Sequence, residues 1–468
     1  MGVEFIHPDY KKNEEDWQKV LDATSGQKAV KAEGDLYLHR PLKCSDEKFK
    51  LLLKLAVYTN IVGYTADTLV GAAFRKAPQH NLLDIPDLEY LVSDADGNGL
   101  SITQLAQPVL KNILKIGREG LLVDFPAVDG PYSKADLRRN HYRASIKRYS
   151  AHSITNWQTR TVGGKQLLSL VTLVEYIQKF TDEFSFEPVK QYRVLTLDEA
   201  GFYIQKIYDA DNRLVSVNEN IRTAKGERLT YIPFVFVGAN NNDASVDKSP
   251  MLDLAELNLA MYNNAAEVES MAYYCGQPFM TYYPGKADNE TLAKRMSAQT
   301  IELGASKAHE LGENYKVDFN QITPHNLPHD LAKDKLMQMI QTGAKLITDN
   351  TAVKTATQQH AENSATTAIL SMCVHNTSDA IKQAIYFCAH FNGMDVENLE
   401  VEYDINTDFF DKDLDPQVIS AQIILMDNGI VSRKDIVDYL KKANMISQSR
   451  TIEEIDQDIR EDRENAGI

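Results

Sequence analysis

The chain has 468 residues, and its hydrophobic fraction of 43% with 25% charged residues is that of a globular protein able to bury a sizeable core. That length accommodates roughly two to four domains. A formal net charge of −16 with no lysine or arginine block excludes a basic patch that grips phosphates. No apolar run reaches the ~18 residues that a membrane helix requires.

The N-terminus, MGVEFIHPDYKK, lacks the apolar core of a signal peptide, and Ile6 stands where a myristoylation signal has Ser or Thr. A cytoplasmic location is therefore expected, with no membrane partner. Cys44, Cys275, Cys373 and Cys388 are scattered without a CxxC pair, which indicates reduced thiols rather than a disulfide framework or a zinc site.

In chain order, a helix is expected around residues 14–23 and one long helix from Asp46 to Phe74, apolar on more than one face. Arg75–Leu83 reads as a loop. In SDADGNGLS, Asp94, Asp96, Asn98 and Gly99 match the opening of a calcium-binding EF loop, but the twelfth position is Leu105 instead of the bidentate Glu. The other reading is a turn before a helix capped by Ser101. Leu121–Phe125 is a short buried strand ended by Pro126.

From Tyr149 to Phe236 the texture is β, with turns at Gly163–Gly164 and Glu199–Gly201, and TYIPFVFVG adds a further strand. Met251–Cys275 is a strong helix with Leu254, Leu257, Met261, Ala265, Val268 and Ala272 along one face. Glu256, Asn263, Glu267 and Ser270 form a polar strip on it. Residues 277–324 read as a small α+β insert with strands at FMTYY and near Tyr315–Phe319.

The next stretch organises the chain. LPHDLAKDKLMQMIQTGAKLIT places Leu331, Leu336, Met339, Ile340, Ala344 and Ile347 on an amphipathic stripe, with Asp330 able to cap its first turn. DNTAVKTATQQHAENSATTA then breaks the pattern, because its Asp, Asn and Thr side chains compete for backbone hydrogen bonds or lose rotamer freedom in a helix. From Ala365 the period returns and runs to Gly393. VEYDINTDFF reads as a strand, and helices follow from Asp415 and Ser432 before a charged terminal helix.

Several stretches in this order resemble the phage portal proteins, in particular a group first described only as uncharacterised phage structural sequences. They are HPDY with Trp17, GREGLLVDFP, ITNW, IPFVFVGANNND and DLAELNLAMYNNAAE. The resemblance spans nearly the whole chain and contains no catalytic signature. It implies an α+β portal fold assembled as a ring, commonly of twelve subunits, at one capsid vertex.

By position it implies a wing over residues 1–248, a stem helix over 249–275, a clip over 276–326 and a returning stem helix over 327–348. A tunnel loop over 349–364, a long wing helix over 365–395 and a wing return with a small crown over 396–468 complete the chain. The implied DNA-facing residues are Asp349, Asn350, Thr351, Val353, Lys354, Thr355, Thr357 and Gln358 in the tunnel loop. Glu256, Asn263, Glu267 and Lys345 would form the channel face of the stem. Tyr282, Tyr283, Lys286, Lys294 and Arg295 in the clip would meet the terminase and then a tail adaptor.

The implied partners are further copies of the chain, double-stranded DNA bound without sequence preference, the large terminase, the capsid or scaffold protein and a tail adaptor. No cofactor, metal or enzymatic activity is implied. The location would be the virion, with assembly in the host cytoplasm. A polar Thr/Asn/Gln loop facing a channel suits weak contact with a moving duplex, whereas a ring of arginines would hold phosphates.

Two other classes stay open on the residues alone. One is a head–tail adaptor or scaffold that does not line a channel. The other is a metal-dependent enzyme using His325 and His329, although HNLPH lacks the Glu of a metalloprotease helix and Pro328 interrupts it. There is no GxGxxG, P-loop or GxSxG element, so nucleotide hydrolysis belongs to a partner.

Overall fold

The computed structural model describes residues 2–126, 142–275, 279–283, 316–320, 326–342 and 356–407, with isolated positions 409, 434, 437, 454, 457 and 458. The chain divides into two units, Met1–Ile405 and Asn406–Ile468. In the second, Lys434, Val437, Glu454, Gln457 and Asp458 are helical, at positions where the sequence predicts its last helices. The first unit is an α+β structure.

Helix α1, Pro8–Ser25, begins with Pro at its first turn and His7 as N-cap, the imidazole accepting from the Asp9 amide at 3.2 Å. It buries Tyr10, Trp17, Val20 and Ala23. Gly26 separates it from the short α2, Gln27–Ala32. The long helix expected over Asp46–Phe74 is in fact two, α3 (Asp46–Leu55) and α4 (Ile61–Ala73).

Asn60 causes the break. Its carboxamide accepts from the Gly63 amide at 2.9 Å and donates to the Thr24 carbonyl at 2.9 Å, so it caps α4 and ties it to the end of α1. A Cβ on Gly63 would lie 2.6 Å from that same Thr24 carbonyl, which is why glycine stands there. Helix α5, Ile102–Ile116, is closed by a full capping box between Ser101 and Gln104. It packs on α1 and α4.

Strand β1 is Gln79–His80, β2 is Arg118–Asp124, β3 is Ser145–Ser150 and β9 is Phe234–Gly238. β3, β2 and β9 form an antiparallel sheet in that order, and β2 is buried from Arg118 to Val123. Strands β4 (Ile154–Val162), β5 (Lys165–Phe180), β6 (Phe186–Leu197), β7 (Tyr203–Asp209) and β8 (Leu214–Asn218) form an antiparallel meander. Its turns at Gly163–Gly164 and Glu199–Gly201 fall where the glycines predict them.

Three motifs that are distant in sequence meet at Arg118. This buried guanidinium lies over the rings of Trp157 (4.3 Å) and Phe236 (4.0 Å) and donates to the Ser245 carbonyl at 2.6 Å. His7 stacks on Trp157 at 3.9 Å. HPDY, GREGLLVDFP, ITNW and IPFVFVG thus each contribute a side chain to one packed cluster.

Next to it, the Glu119 carboxylate is fully buried and takes bonds from Arg148 (Nη2, 2.9 Å) and Asn112 (2.8 Å). Burial outweighs both partners and pushes its pKa up to about 7.

The EF-like segment is a closed turn. Asp96 accepts from the amides of Asn98 (2.8 Å) and Leu100 (3.1 Å), Asp94 accepts from Gly99 (2.8 Å) and pairs with Arg143, and Lys147 donates to the Asp96 carbonyl. Its carboxylates already have donors, and among the described residues no group of acidic, His or Cys side chains could hold a metal ion. No helix among them is long and apolar enough to cross a membrane.

Candidate functional site

Helix α6, Leu252–Cys275, is about 36 Å long at 1.5 Å per residue. Leu252, Ala255, Leu259, Tyr262 and Ala266 recur at steps of three and four, and all are buried. This stripe packs on α1, α3 and α4. The stripe expected from sequence is a different one: Leu254 is buried, but Leu257, Met261, Ala265 and Val268 are only half-buried and Ala272 is exposed.

Buried amides lock α6 in place. The Asn258 oxygen accepts from the Ile61 (3.1 Å) and Val62 (3.2 Å) amides, and its nitrogen donates to the Thr59 carbonyl at 3.0 Å. It thus serves the first turn of α4 from another helix. Sequence reading passed over Asn258, although its place in NLAMYNN, among residues of an apolar stripe, was the available signal.

Strands β10 (Phe279–Tyr283) and β11 (Lys316–Asn320) pair antiparallel beyond α6. The chain then returns as α7, Leu327–Thr342. Pro328 shares a groove with Ser270 and Met271, while Lys335 donates to the Ala260 carbonyl (3.0 Å) and to Asn264 (3.2 Å). The two helices therefore run antiparallel.

The inward stripe of α7 is Pro328, Ala332, Lys335 and Met339, with Pro328 and Met339 buried. Leu331 and Leu336, expected to face inward, are 42% and 37% exposed, and Met337 is 61% exposed. Small and adaptable side chains make the contact with α6, and the larger apolar ones are left outside it. Leu331 and Leu336 flank the inward face of α7 on either side and Met337 lies opposite it, while the chain covers Leu257, Met261 and Val268 of α6 only in part.

The predicted channel residues fall in different settings. Glu256 is exposed and bonded to Lys19 at 2.9 Å, a bond that raises the Lys19 pKa. The Asn263 amide is engaged within the subunit. Its oxygen accepts from the His39 amide (2.8 Å) and its nitrogen donates to the Tyr37 carbonyl (2.8 Å), fixing the segment before α3. Glu267 is exposed and lines the groove between α3 and α6 with Leu51, Leu55 and Met271.

Lys345, Asp349, Asn350, Thr351, Val353, Lys354 and Thr355 lie outside the described residues, as do Lys286, Lys294, Arg295 and His325. Tyr282 and Tyr283 are on β10, paired with Val317 and Lys316. His329 is exposed on α7.

Helix α8 spans Ala356–Phe391, so Thr357 and Gln358 belong to a helix and not to a loop. The expected start at Ala365 is nine residues late. Ala356, Gln358, Gln359, Ala361 and Glu362 are good helix formers, and they outweigh the intervening Thr, Asn and Ser residues. Further along, α8 lies on β2 and β9, and its Asn376 exchanges hydrogen bonds with the GANNND loop that follows β9. Cys373 and Cys388 are buried, reduced thiols whose pKa burial pushes up to about 12.

Residues 250–392, which take in α6, α7 and α8, match a protein family described as a domain of unknown function, DUF4055. The match covers under a third of the chain. No curated protein matches.

Two solved structures match over most of the chain at low similarity. One is a chain in the virion of a native gene transfer agent particle, 12% identical, covering 88% of this chain and 96% of that one at a TM-score of 0.39. The other is a chain in the neck of an empty gene transfer agent particle computed with C6 symmetry, 14% identical, covering 87% and 95% at a TM-score of 0.39.

Proposed function

We propose that this protein is a phage portal subunit. Copies of it form a ring at one capsid vertex, through which double-stranded DNA enters during packaging and leaves at ejection. The ring would present its clip, around β10 and β11, first to the terminase and then to a tail adaptor, and would stand in the capsid shell. Its role is mechanical, and the hydrolysis that drives DNA movement belongs to the terminase.

The observation that carries this reading is the set of large apolar side chains that α7 leaves exposed on more than one side. In an isolated chain Leu331, Leu336 and Met337 contact water. In a ring of side-by-side helical pairs a neighbouring copy would cover them. The charge agrees with this. A subunit of net charge −16, repeated around a channel, repels the duplex at a distance and leaves sequence-independent contact to a few cations such as Lys345 and Lys354.

Removal of residues 351–358 tests the assignment of the tunnel segment. The shortened protein should still form particles of the wild-type mass while genome packaging or retention falls. Unchanged packaging and retention would contradict it.

A further inference from the structure

The far end of the β5–β6 hairpin carries an unusual concentration of exposed aromatic surface. Tyr176 is 69% exposed, Phe180 71%, Phe186 49% and Phe184, at the apex, 91%. The turn beneath them is built to hold this shape. Asp182 accepts from the Phe184 (2.7 Å) and Ser185 (2.8 Å) amides, the Thr181 amide donates to the Ser185 carbonyl at 3.0 Å, and Phe180 packs edge-on against Phe186 at 6.3 Å. A two-stranded hairpin is marginal in water by itself, and a rigid one tipped with phenylalanines is a preorganised knob.

The same two strands line a groove at their other end. Leu167 and Leu168 from β5 and Leu197 from β6 face Tyr231, Phe387 and His390 across an apolar depression of about 640 Å³. One wall is stiffened by Tyr231, which stacks on Phe387 at 5.0 Å and is hydrogen-bonded to His390 at 2.6 Å. A pocket of this size admits one or two aromatic side chains, each of which buries on the order of 150–250 Å².

Knob and groove cannot meet within one chain. Twelve residue steps of β5 separate Leu168 from Phe180, about 40 Å at ~3.3 Å per residue. The geometry points to a second copy of this chain as the occupant: the Phe180–Phe184 tip of one copy enters the Tyr231–Phe387 groove of the next.

Charge favours one orientation. The tip carries Asp182 and Glu183, and the strand side of the groove carries the exposed Arg160, paired across from Leu167, and Lys165. The other rim has Asp395 and Glu397 beside Val396, and Lys179 on the hairpin is their complement. Such a contact is heterologous, with each copy donating a knob and receiving one, so it closes into a ring when the rotation per copy permits.

This inference deepens the ring reading and rests on it for closure. The test places a photo-crosslinking phenylalanine analogue at position 184 in the full-length protein, assembled from a mixture of isotopically light and heavy copies. The expected products are light–heavy cross-links to peptides containing Tyr231 or Phe387. In parallel, Phe180→Asp with Phe184→Asp should raise the concentration for half-assembly at least tenfold with an unchanged melting temperature.

A ring of wild-type mass whose position 184 gives no light–heavy cross-link to the groove would overturn the inference and leave the ring standing. Such a tip would serve another protein. Cross-links to the groove in an open filament would support the contact and contradict the closed ring. A protein that stays monomeric at all concentrations would overturn both.

Discussion

Asn376, in the middle of α8, donates its side-chain amide to the Gly238 carbonyl at 2.9 Å. The bond is returned when Asn242 donates to the Asn376 carbonyl at 2.8 Å. This clamp fixes the longest helix of the chain to the end of β9 through the loop that also receives Asp247. A Cβ on Gly238 would collide with the Asn241 carbonyl and the Asp247 carboxylate, so the loop closes only over glycine. Asn376→Ala should lower the unfolding free energy by about 1–3 kcal/mol, the range for a buried polar group left without its partner. Urea midpoints measure it, and an unchanged midpoint would mean that the loop is not held by the helix.

The Arg118 site makes a sharper claim. A planar guanidinium fits between Trp157 and Phe236, and an ammonium does not. Burial lowers the Arg118 pKa to about 9, still well above neutral, so the charge persists and the rings receive it. Arg118→Lys should cost about 2 kcal/mol, seen both in the urea midpoint and as a change in tryptophan emission from Trp157. A lysine variant as stable as the wild type would show that the site does not depend on the planar guanidinium.

Glu119 gives a pH signature. Its folded pKa, about 7, lies above the ordinary value of 4.5, so between those pH values the folded state holds a proton that the unfolded chain has released. Stability from this group is full below pH 4.5 and is lost as pH rises through 7, to the extent of about 3 kcal/mol for a shift of this size. Glu175 opposes it. Burial raises its pKa, but Arg193, Tyr149 and Gln191 together lower it further, so its contribution is lost as pH falls. The test is therefore the difference between wild type and Glu119→Gln. Relative to wild type, the variant should gain stability steadily from pH 4.5 to 7, and a pH-independent difference would contradict the burial argument.

Much of the fold could be read in the sequence where one principle dominates. Gly163–Gly164 and Gly201 marked two turns of the meander, Ser101 marked the start of α5, and His7, Trp157 and Phe236 from three of the quoted motifs meet around Arg118. The misreadings arose where two signals competed. Asn60 stopped a helix that apolar periodicity carried on to Phe74. In α6 and α7 the periodicity marked the helices, but the faces it picked are not the ones the chain buries most, because apolar residues lie on more than one side of each helix. The bonds of Asn263 were not legible because its partners, the backbone of Tyr37 and His39, are over 200 positions away. The early start of α8 was hidden by threonines that lower helix propensity without forbidding it.

The apolar side chains that α7 leaves exposed separate stability from assembly. Asn263→Ala removes bonds within the subunit and should cost about 1–3 kcal/mol of stability. Leu331→Asp with Met337→Asp changes exposed positions and should leave the unfolding midpoint within about 0.5 kcal/mol of wild type while weakening self-association. Sedimentation of both variants at matched concentration distinguishes the roles. If Leu331→Asp with Met337→Asp assembled like the wild type, these exposed side chains would not be a contact between copies.

The most direct test of the portal reading is the mass of the purified particle together with its end-on view in the electron microscope. The account predicts a closed ring of about a dozen copies around an open centre, stable across moderate salt because apolar side chains hold it. A monomer or dimer that persists across salt and concentration would contradict it.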